Sequence, residues 1–140
     1  MPEHPFETIA QQFGNSLDQD DFEATQKLLS KDCKYHIGSK VLSGPIDICN
    51  SYEQNMIEGR KKLDQLVWGK SKIEPINEFE FFVHFTDHLT HKGIAYTHRC
   101  KQKLLINHNG QISQIIHVDD PEEQERLNDY YSSVGINSNK

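Results

Sequence analysis

The sequence predicts an α+β domain in which a curved antiparallel sheet wraps around helices and forms a cone with an interior pocket. Apolar residues recur every three or four positions up to Leu63 and every second position from Leu66 onward. The length of 140 residues suits one hydrophobic core, so we place residues 1–140 in a single domain. Seven Phe, five Tyr and one Trp supply large apolar side chains for that core.

Three helices are predicted in the first half of the chain. The first has one apolar face at three- and four-residue spacing, formed by Phe6, Ile9, Ala10, Phe13 and Leu17. A short second helix, Phe22 to Leu29, follows Asp20 or Asp21 as its N-cap. The third begins at Pro45, which suits the first helical position, and its apolar stripe is Cys49, Tyr52, Met56 and Leu63.

The predicted strands lie mostly in the second half. Before the third helix, "CKYHI" alternates and indicates one short strand with Cys33, Tyr35 and Ile37 on one face. Four further candidates follow in succession: "LVWGKSKIEPI", "EFEFFVHFTDHL", "IAYTHRCKQKLLI" and "QISQIIHVD". Short loops join them, so neighbouring strands are expected to be antiparallel.

The chain is predicted to close with a helix in "DDPEEQERLNDYY". Asp120 is a plausible N-cap, Pro121 takes the first helical position and Glu123 completes a capping box. We expect the ordered core to span residues 5–133 and the tail, residues 135–140, to be flexible.

Composition excludes several classes of protein. A net charge of −6 argues against a general nucleic-acid binder, which needs a concentrated positive surface. No apolar run approaches the ~20 residues of a membrane span, and "MPEHPFETIA" lacks the regions of a secretory signal. The three cysteines are far apart and form no CxxC motif. We therefore expect a soluble, cytoplasmic protein with reduced thiols, and assign it no cofactor.

The order of elements, the length, and the run from "DCKYHIGSKVLSGP" through "QISQIIHVDDP" resemble the nuclear transport factor 2-like superfamily, particularly its SnoaL-like branch. The resemblance is one of pattern and length. It implies a cone whose interior is a ligand or active-site pocket, and it implies a dimer. Members include ketosteroid isomerase, polyketide cyclases, epoxide hydrolases, dehydratases and non-enzymatic adaptors, so the resemblance leaves the activity open.

Strand parity predicts which side chains face the pocket. A loop of two or four residues at "THKG" places odd-numbered residues of one strand opposite even-numbered residues of the next. The more apolar face, taken as inward, carries Phe81, Val83, Phe85 and Asp87 beside Tyr96, His98, Cys100 and Gln102. An even-length loop at "NHNG" adds Ser113, Ile115, His117 and Asp119.

The polar end of this face supplies candidates for acid-base chemistry. His98 lies opposite Asp87 if the first loop has two residues, and opposite Asp119 if the second has four. A carboxylate beside an imidazole fixes its tautomer and raises its basicity. We predict His98, Asp119 and Tyr96 as catalytic residues. Predicted ligand-binding residues are Tyr35, Tyr52, Phe81, Val83, Phe85, Asp87, Cys100 and His117.

Each candidate also has a simpler interpretation. His98 and His117 suit hydrogen-bonded core positions, Asp119 suits a helix cap, and Asp87 suits a solvated hairpin end. Cys100 as a nucleophile, and a metal site of two histidines and a carboxylate, have only residue types in their favour. We assign no metal.

The outer face mixes apolar side chains with charges: Phe82, Leu105, Ile112, Ile116 and Val118. Such a patch predicts a homodimer through the outer sheet face, and the alternative is that a flanking loop or terminus covers it. The predicted ligand is a small, largely apolar molecule. The function is either acid-base catalysis of the isomerase, cyclase, dehydratase or hydrolase type, or a non-catalytic dimeric module for ligand or protein binding. Neither nucleic acid nor a membrane is an expected partner.

Overall fold

The computed structural model describes residues 5–136 and confirms the α+β fold, with helices packed against a curved sheet. The elements run in the order α1 (Glu7–Asp18), α2 (Phe22–Leu28), β1 (Leu29–Ile37), β2 (Lys40–Ser43), α3 (Pro45–Lys62), β3 (Gln65–Trp68), β4 (Lys72–Pro75), β5 (Glu80–His91), β6 (Ile94–Ile106), β7 (Ile112–His117) and α4 (Pro121–Ser133).

The seven strands form one sheet in the order β2-β1-β7-β6-β5-β3, with β4 also paired to β5. The predicted antiparallel succession is confirmed for β5, β6 and β7. The pairing of β1 with β7 differs, because it is parallel. No hairpin joins these two strands, so local loop length places no constraint on their direction.

Two further features of the sheet differ from the predicted strands. The candidate "LVWGKSKIEPI" is divided into β3 and β4, and both pair with β5. The short strand β2, absent from the prediction, pairs antiparallel with β1. The β1–β7 ladder is irregular between Leu29 and Lys34. In the β6–β7 ladder, β7 has one extra residue between Ile112 and Gln114, as in a bulge, which bends a strand and so helps the sheet to curve.

The β5–β6 hairpin sets the register at the site. Its two loop residues, Lys92 and Gly93, have φ values of 52° and 79°, as a type I′ turn requires. His91 therefore pairs with Ile94, and Asp87 lies directly opposite His98. This is the pairing expected for a two-residue loop.

The β6–β7 connection contains an odd number of residues, since Ile106 pairs with Ile112. A register shift between Leu105 and Ile106 restores the predicted parity, so Leu104 pairs with Ile115. Beside this shift, the predicted face of one residue is wrong. Ile112, expected on the outer face, is fully buried, and the hydroxyl of Ser113 donates to the Leu105 carbonyl.

The main core lies between the first three helices and the inner face of the sheet. Its fully buried residues include Ala10, Phe13, Cys33, Ile48, Phe81, Val83, Leu104 and Ile115. Burying one Leu or Phe side chain contributes about 1.5–3 kcal/mol, so this cluster supplies much of the stability. Phe81 and Val83 were predicted as ligand-binding residues. Both are fully buried in the core, and neither lines the 200 Å³ cavity described below.

Helix α4 packs on a second cluster at the β5–β6 end of the sheet, built from Leu63, Leu89, Tyr130 and Val134. The Tyr130 hydroxyl donates to the Ile94 carbonyl at 2.6 Å. Asp120 caps the helix as predicted, by accepting from the Glu123 amide at 3.2 Å. Of the predicted flexible tail, Ile136 donates its amide to the Tyr131 carbonyl, and residues 137–140 lie outside the described residues. Across residues 5–136, every helix is too short or too polar to cross a membrane.

Candidate functional site

A cavity of about 200 Å³ lies between helices α1 to α3 and the polar end of the inner sheet face. Its lining is mainly apolar and aromatic, with a few polar groups, as is usual for a small-molecule site. The lining residues are Leu17, Asp18, Asp20, Phe22, Tyr35, Tyr52, Asn55, Met56, Trp68, Phe85, Thr86, Asp87, Cys100, Gln102 and His117. Six of the residues predicted to bind ligand are among them: Tyr35, Tyr52, Phe85, Asp87, Cys100 and His117.

Two tyrosines in the cavity wall are held by one buried amide. The Tyr52 hydroxyl donates to Oε1 of Gln102 at 2.7 Å, and Nε2 of Gln102 donates to the Tyr35 oxygen at 2.7 Å. The two rings are stacked with centroids 5.2 Å apart. Burial raises the pKa of Tyr35 to about 12 and that of Tyr52 well above its ordinary value. Both phenols therefore keep their protons at neutral pH and are hydrogen-bond donors.

Asp87 supplies the cavity with a carboxyl group whose pKa is close to neutral pH. It lies on β5, opposite Trp68 on β3 and His98 on β6. Burial raises its pKa to about 6, repulsion from Asp18 acts in the same direction, and attraction to His98 and His88 opposes the rise. A carboxyl group with such a pKa is suited to accept and return a proton.

The other two cavity carboxylates are already engaged by the protein. Asp20 accepts from Nε1 of Trp68 at 2.7 Å and from Arg60 at 2.8 Å, and the Arg60 guanidinium lies 5.6 Å from the centroid of the Trp68 ring. Asp18 accepts from the Ser71 amide at 2.8 Å. Among the described residues, no donor is hydrogen-bonded to the carboxylate of Asp87, which leaves it available to a ligand.

His98 and Tyr96 meet at the carboxylate of Glu123 on α4. One oxygen of Glu123 accepts from the Tyr96 hydroxyl at 2.5 Å and lies 2.8 Å from Nδ1 of His98. The other oxygen accepts from Arg126 at 2.9 and 3.0 Å. Burial alone would raise the pKa of Glu123, but the bonds from Tyr96, His98 and Arg126 lower it to about 2. This carboxylate is therefore ionised at neutral pH.

The alternative pairing of His98 with Asp119 is not formed. Because Gln102 pairs with His117, Asp119 comes level with Cys100, two residues away from His98 along β6. Asp119 is also exposed. His98 and Asp119 instead share the lining of a second, more polar cavity of about 290 Å³, and this cavity has Cys100 and His117 in common with the first.

The remaining two candidates have little chemical reactivity at this site. Burial lowers the pKa of His117, although attraction to Asp119 opposes this change, so the ring is neutral at pH 7. Burial, with repulsion from Asp87 and Glu123, raises the pKa of Cys100 to about 12. Cys100 is thus a protonated thiol and a poor nucleophile. No three His, Cys, Asp or Glu side chains within residues 5–136 are grouped as a metal site.

Several residues at the site were not anticipated from the sequence: Asp18, Asp20, Asn55, Arg60, Trp68 and Glu123. Glu123 was interpreted as part of a capping box, but its carboxylate is turned toward the sheet. Trp68 and Arg60 come together only through tertiary packing around Asp20. One feature of the sequence did point to this part of the site, namely the acidic run at residues 18–21. It lies where the chain passes from α1 to α2, beside the cavity.

Comparison with known proteins establishes the fold. No protein-family model matches the chain, and no curated protein matches its sequence. Among solved structures, an LEH-like epoxide hydrolase of Mycobacterium tuberculosis is 16% identical, with coverage of 96% of this chain and 98% of the other and a TM-score of 0.64. The Δ5-3-ketosteroid isomerase of a Mycobacterium species is 14% identical, with coverage of 86% and 96% and a TM-score of 0.61.

A third similar structure is RV0760c of Mycobacterium tuberculosis in complex with estradiol-17β-hemisuccinate. It is 13% identical, with coverage of 86% of this chain and 97% of the other and a TM-score of 0.61. Together these similarities show that the chain has the SnoaL and nuclear transport factor 2-like fold, as the sequence pattern predicted.

Proposed function

We propose that this protein binds a small, largely apolar molecule in the 200 Å³ cavity and moves a proton on it, with Asp87 as the general base and acid. The observation that carries the proposal is the Asp87 carboxyl, which lines an aromatic cavity, has no hydrogen-bond donor among the described residues, and has its pKa raised by burial to about 6. Such a group is mostly ionised at pH 7 and still readily protonated.

Tyr35 gives the proposed chemistry its second component. The Tyr52 hydroxyl donates its proton to Gln102, whereas the Tyr35 hydroxyl accepts from Gln102 and can donate its own proton to a ligand. A ligand carbonyl within reach of the Tyr35 hydroxyl accepts this hydrogen bond, which stabilises negative charge on the carbonyl oxygen. Asp87 then removes a proton from the carbon next to the carbonyl and gives an enolate. Return of the same proton at another carbon regenerates the carboxylate and completes an isomerisation. A cyclisation, hydration or dehydration uses the same proton transfer.

The similar structures support this class of function. One is an epoxide hydrolase, one is a ketosteroid isomerase, and one is bound to a steroid hemisuccinate. Catalytic roles for His98, Tyr96 and Asp119 remain predictions. None of these three lines the 200 Å³ cavity, which favours Asp87 as the group that meets the ligand.

The test uses a β,γ-unsaturated cyclic ketone in D₂O, with proton exchange and isomerisation followed by NMR. Wild-type protein is expected to accelerate both, and Asp87→Asn to lose about 100-fold or more of the rate. Asp129→Asn, an exposed change of the same kind on α4, is the matched control and should retain the rate. Binding without acceleration in the wild type would instead identify a non-catalytic binding module.

We further propose a homodimer formed through the outer sheet face, and a cytoplasmic location. Phe82, Leu105, Ile116 and Val118 all lie partly exposed on that face, among lysines and an arginine. The three cysteines are free thiols, two of them buried, which suits a reducing compartment.

A further inference from the structure

The side chain of Glu123 connects helix α4 to the strand that faces the cavity carboxyl. Glu123 lies in the first turn of α4, and its side chain is only 10% exposed. Both of its oxygens have protein donors: Tyr96 and His98 on one, Arg126 on the other. Tyr96 and His98 lie on β6, so this carboxylate ties the C-terminal helix to the strand that faces Asp87.

The contact with Glu123 determines the orientation of the His98 ring. An ionised carboxylate can only accept hydrogen bonds, so Nδ1 of His98 carries the proton in this 2.8 Å contact. The ring is thereby fixed on β6 directly opposite Asp87. Side chains at directly opposed positions on antiparallel strands have Cβ atoms about 4.5–5.5 Å apart, close enough for charges to interact strongly when solvent is excluded.

We infer that Glu123 is a positioning residue for the cavity: it holds the His98 imidazole beside Asp87, and so helix α4 controls the charge on the carboxyl that meets the ligand. This inference rests on the proposed function of Asp87 as the acid-base group. It assigns His98 a supporting role, in which the ring influences the reaction without touching the ligand.

Other ionisable groups that face Asp87 are less suited than His98 to stabilise its negative charge. Asp18 on α1, Cys100 on β6 and Tyr131 on α4 all interact with Asp87, but none of them is a cation. His88 on β5 attracts Asp87 but is exposed, so water screens its charge. His98 is the largest attraction that opposes the effect of burial, and its side chain is only 16% exposed.

The experiment follows the carboxyl carbon of Asp87 by NMR from pH 4 to pH 9, with the resonance identified by its absence in Asp87→Asn. Glu123→Gln keeps the side-chain shape and removes the anion that holds His98. We expect the Asp87 titration midpoint to rise by about one pH unit, because the carboxylate loses a nearby attraction. Glu125→Gln, an exposed change on the same helix, should leave the midpoint where it is in the wild type.

Two further variants separate positioning from a general effect of charge. His98→Asn should raise the midpoint by a similar amount, and adding Glu123→Gln to it should produce no further rise. If Glu123→Gln does not fold, Glu123→Asp retains the charge, withdraws it by one methylene, and should give a smaller rise. An Asp87 midpoint unchanged in folded Glu123→Gln or Glu123→Asp, or equally raised in Glu125→Gln, overturns the inference.

These measurements require no substrate, so their outcome does not depend on whether the proposed function is correct. If Asp87→Asn keeps full activity, the proposed function fails while the midpoint shift still tests the coupling. Where proton exchange is measurable, Glu123→Gln should shift the acid limb of the pH–rate profile to higher pH by the same amount as the Asp87 midpoint. The plateau rate should be retained. A loss of plateau rate with an unmoved limb would indicate a purely structural role and contradict the inference.

Discussion

At Asp87, the burial that adjusts the pKa of the carboxyl group for proton transfer also lowers the stability of the folded protein. Its pKa is about 6 in the folded chain, above the ordinary value of 3.8, because burial penalises the charged form. Between those two values the folded protein holds a proton that the unfolded chain has released. The free energy of unfolding therefore falls as pH rises from about 4 to about 6, and it stays lower above that window.

Replacing Asp87 with Asn should remove this cost. At pH 8 we expect the variant to be more stable than the wild type by roughly 2–3 kcal/mol, since each pH unit between the two pKa values corresponds to about 1.4 kcal/mol. At pH 4 the advantage should largely disappear. Urea unfolding followed by circular dichroism at both pH values measures the difference, and an equal effect at pH 4 and pH 8 would contradict the argument.

At the scale of elements, helix α4 depends on an ionised side chain. The pKa of Glu123 in the folded chain is about 2, below its ordinary value of 4.5, since hydrogen bonds from Tyr96, His98 and Arg126 outweigh the effect of burial. The stabilisation from this carboxylate is fully present above pH 4.5. It is lost progressively as pH falls from there toward 2.

Acid should therefore release α4 from the sheet before the core unfolds. We expect the amides of α4 to lose protection from hydrogen exchange at a higher pH than those of β6, as the pH is lowered below 4.5. At neutral pH, Glu123→Gln should lower the protection of the α4 amides without releasing the helix, with a cost of about 2–3 kcal/mol for the broken charged hydrogen bonds. Simultaneous loss of protection in α4 and β6 would show that the helix has no separate transition.

The elements also show how far the sequence is informative. Local signals, such as apolar period, Pro45, Asp120 and the two-residue turn at Lys92 and Gly93, predicted the helices, the long strands and the Asp87–His98 pairing. The parallel β1–β7 pair and the turn of Glu123 toward His98 depend on contacts between distant segments. The sequence pattern therefore identified six of the fifteen residues that line the cavity, but not those that reach it through tertiary packing.

For the whole molecule, the outer sheet face carries a row of side chains suited to self-association. Ile116 pairs with Lys103, which pairs with Phe82, so all three lie side by side on that face. The ammonium of Lys101 lies 4.4 Å from the centroid of the Phe82 ring. The partly exposed aromatic and aliphatic side chains of this row are the groups that a second copy of the chain would cover.

We expect light scattering at micromolar concentration to report about twice the chain mass of 16.2 kDa. Ile116→Lys should release monomers, because an unpaired charge in a packed interface is costly. Ile46→Lys, on a residue that is 64% exposed at the start of α3, is the matched control and should leave the dimer intact. A wild-type mass equal to one chain at every concentration would rule out the dimer.

The parallel pairing of β1 with β7 also has a consequence for biosynthesis. Tyr35 pairs with Ile115, so β1 is synthesised before β2 to β6 and its partner β7 only after them. Until β7 leaves the ribosome, one edge of β1 has no hydrogen-bonded neighbour, and Cys33 and Tyr35 lack part of the apolar surface that buries them. Contacts so distant in sequence slow folding, and until they form the unpaired edge of β1 is a surface at which two nascent chains can associate.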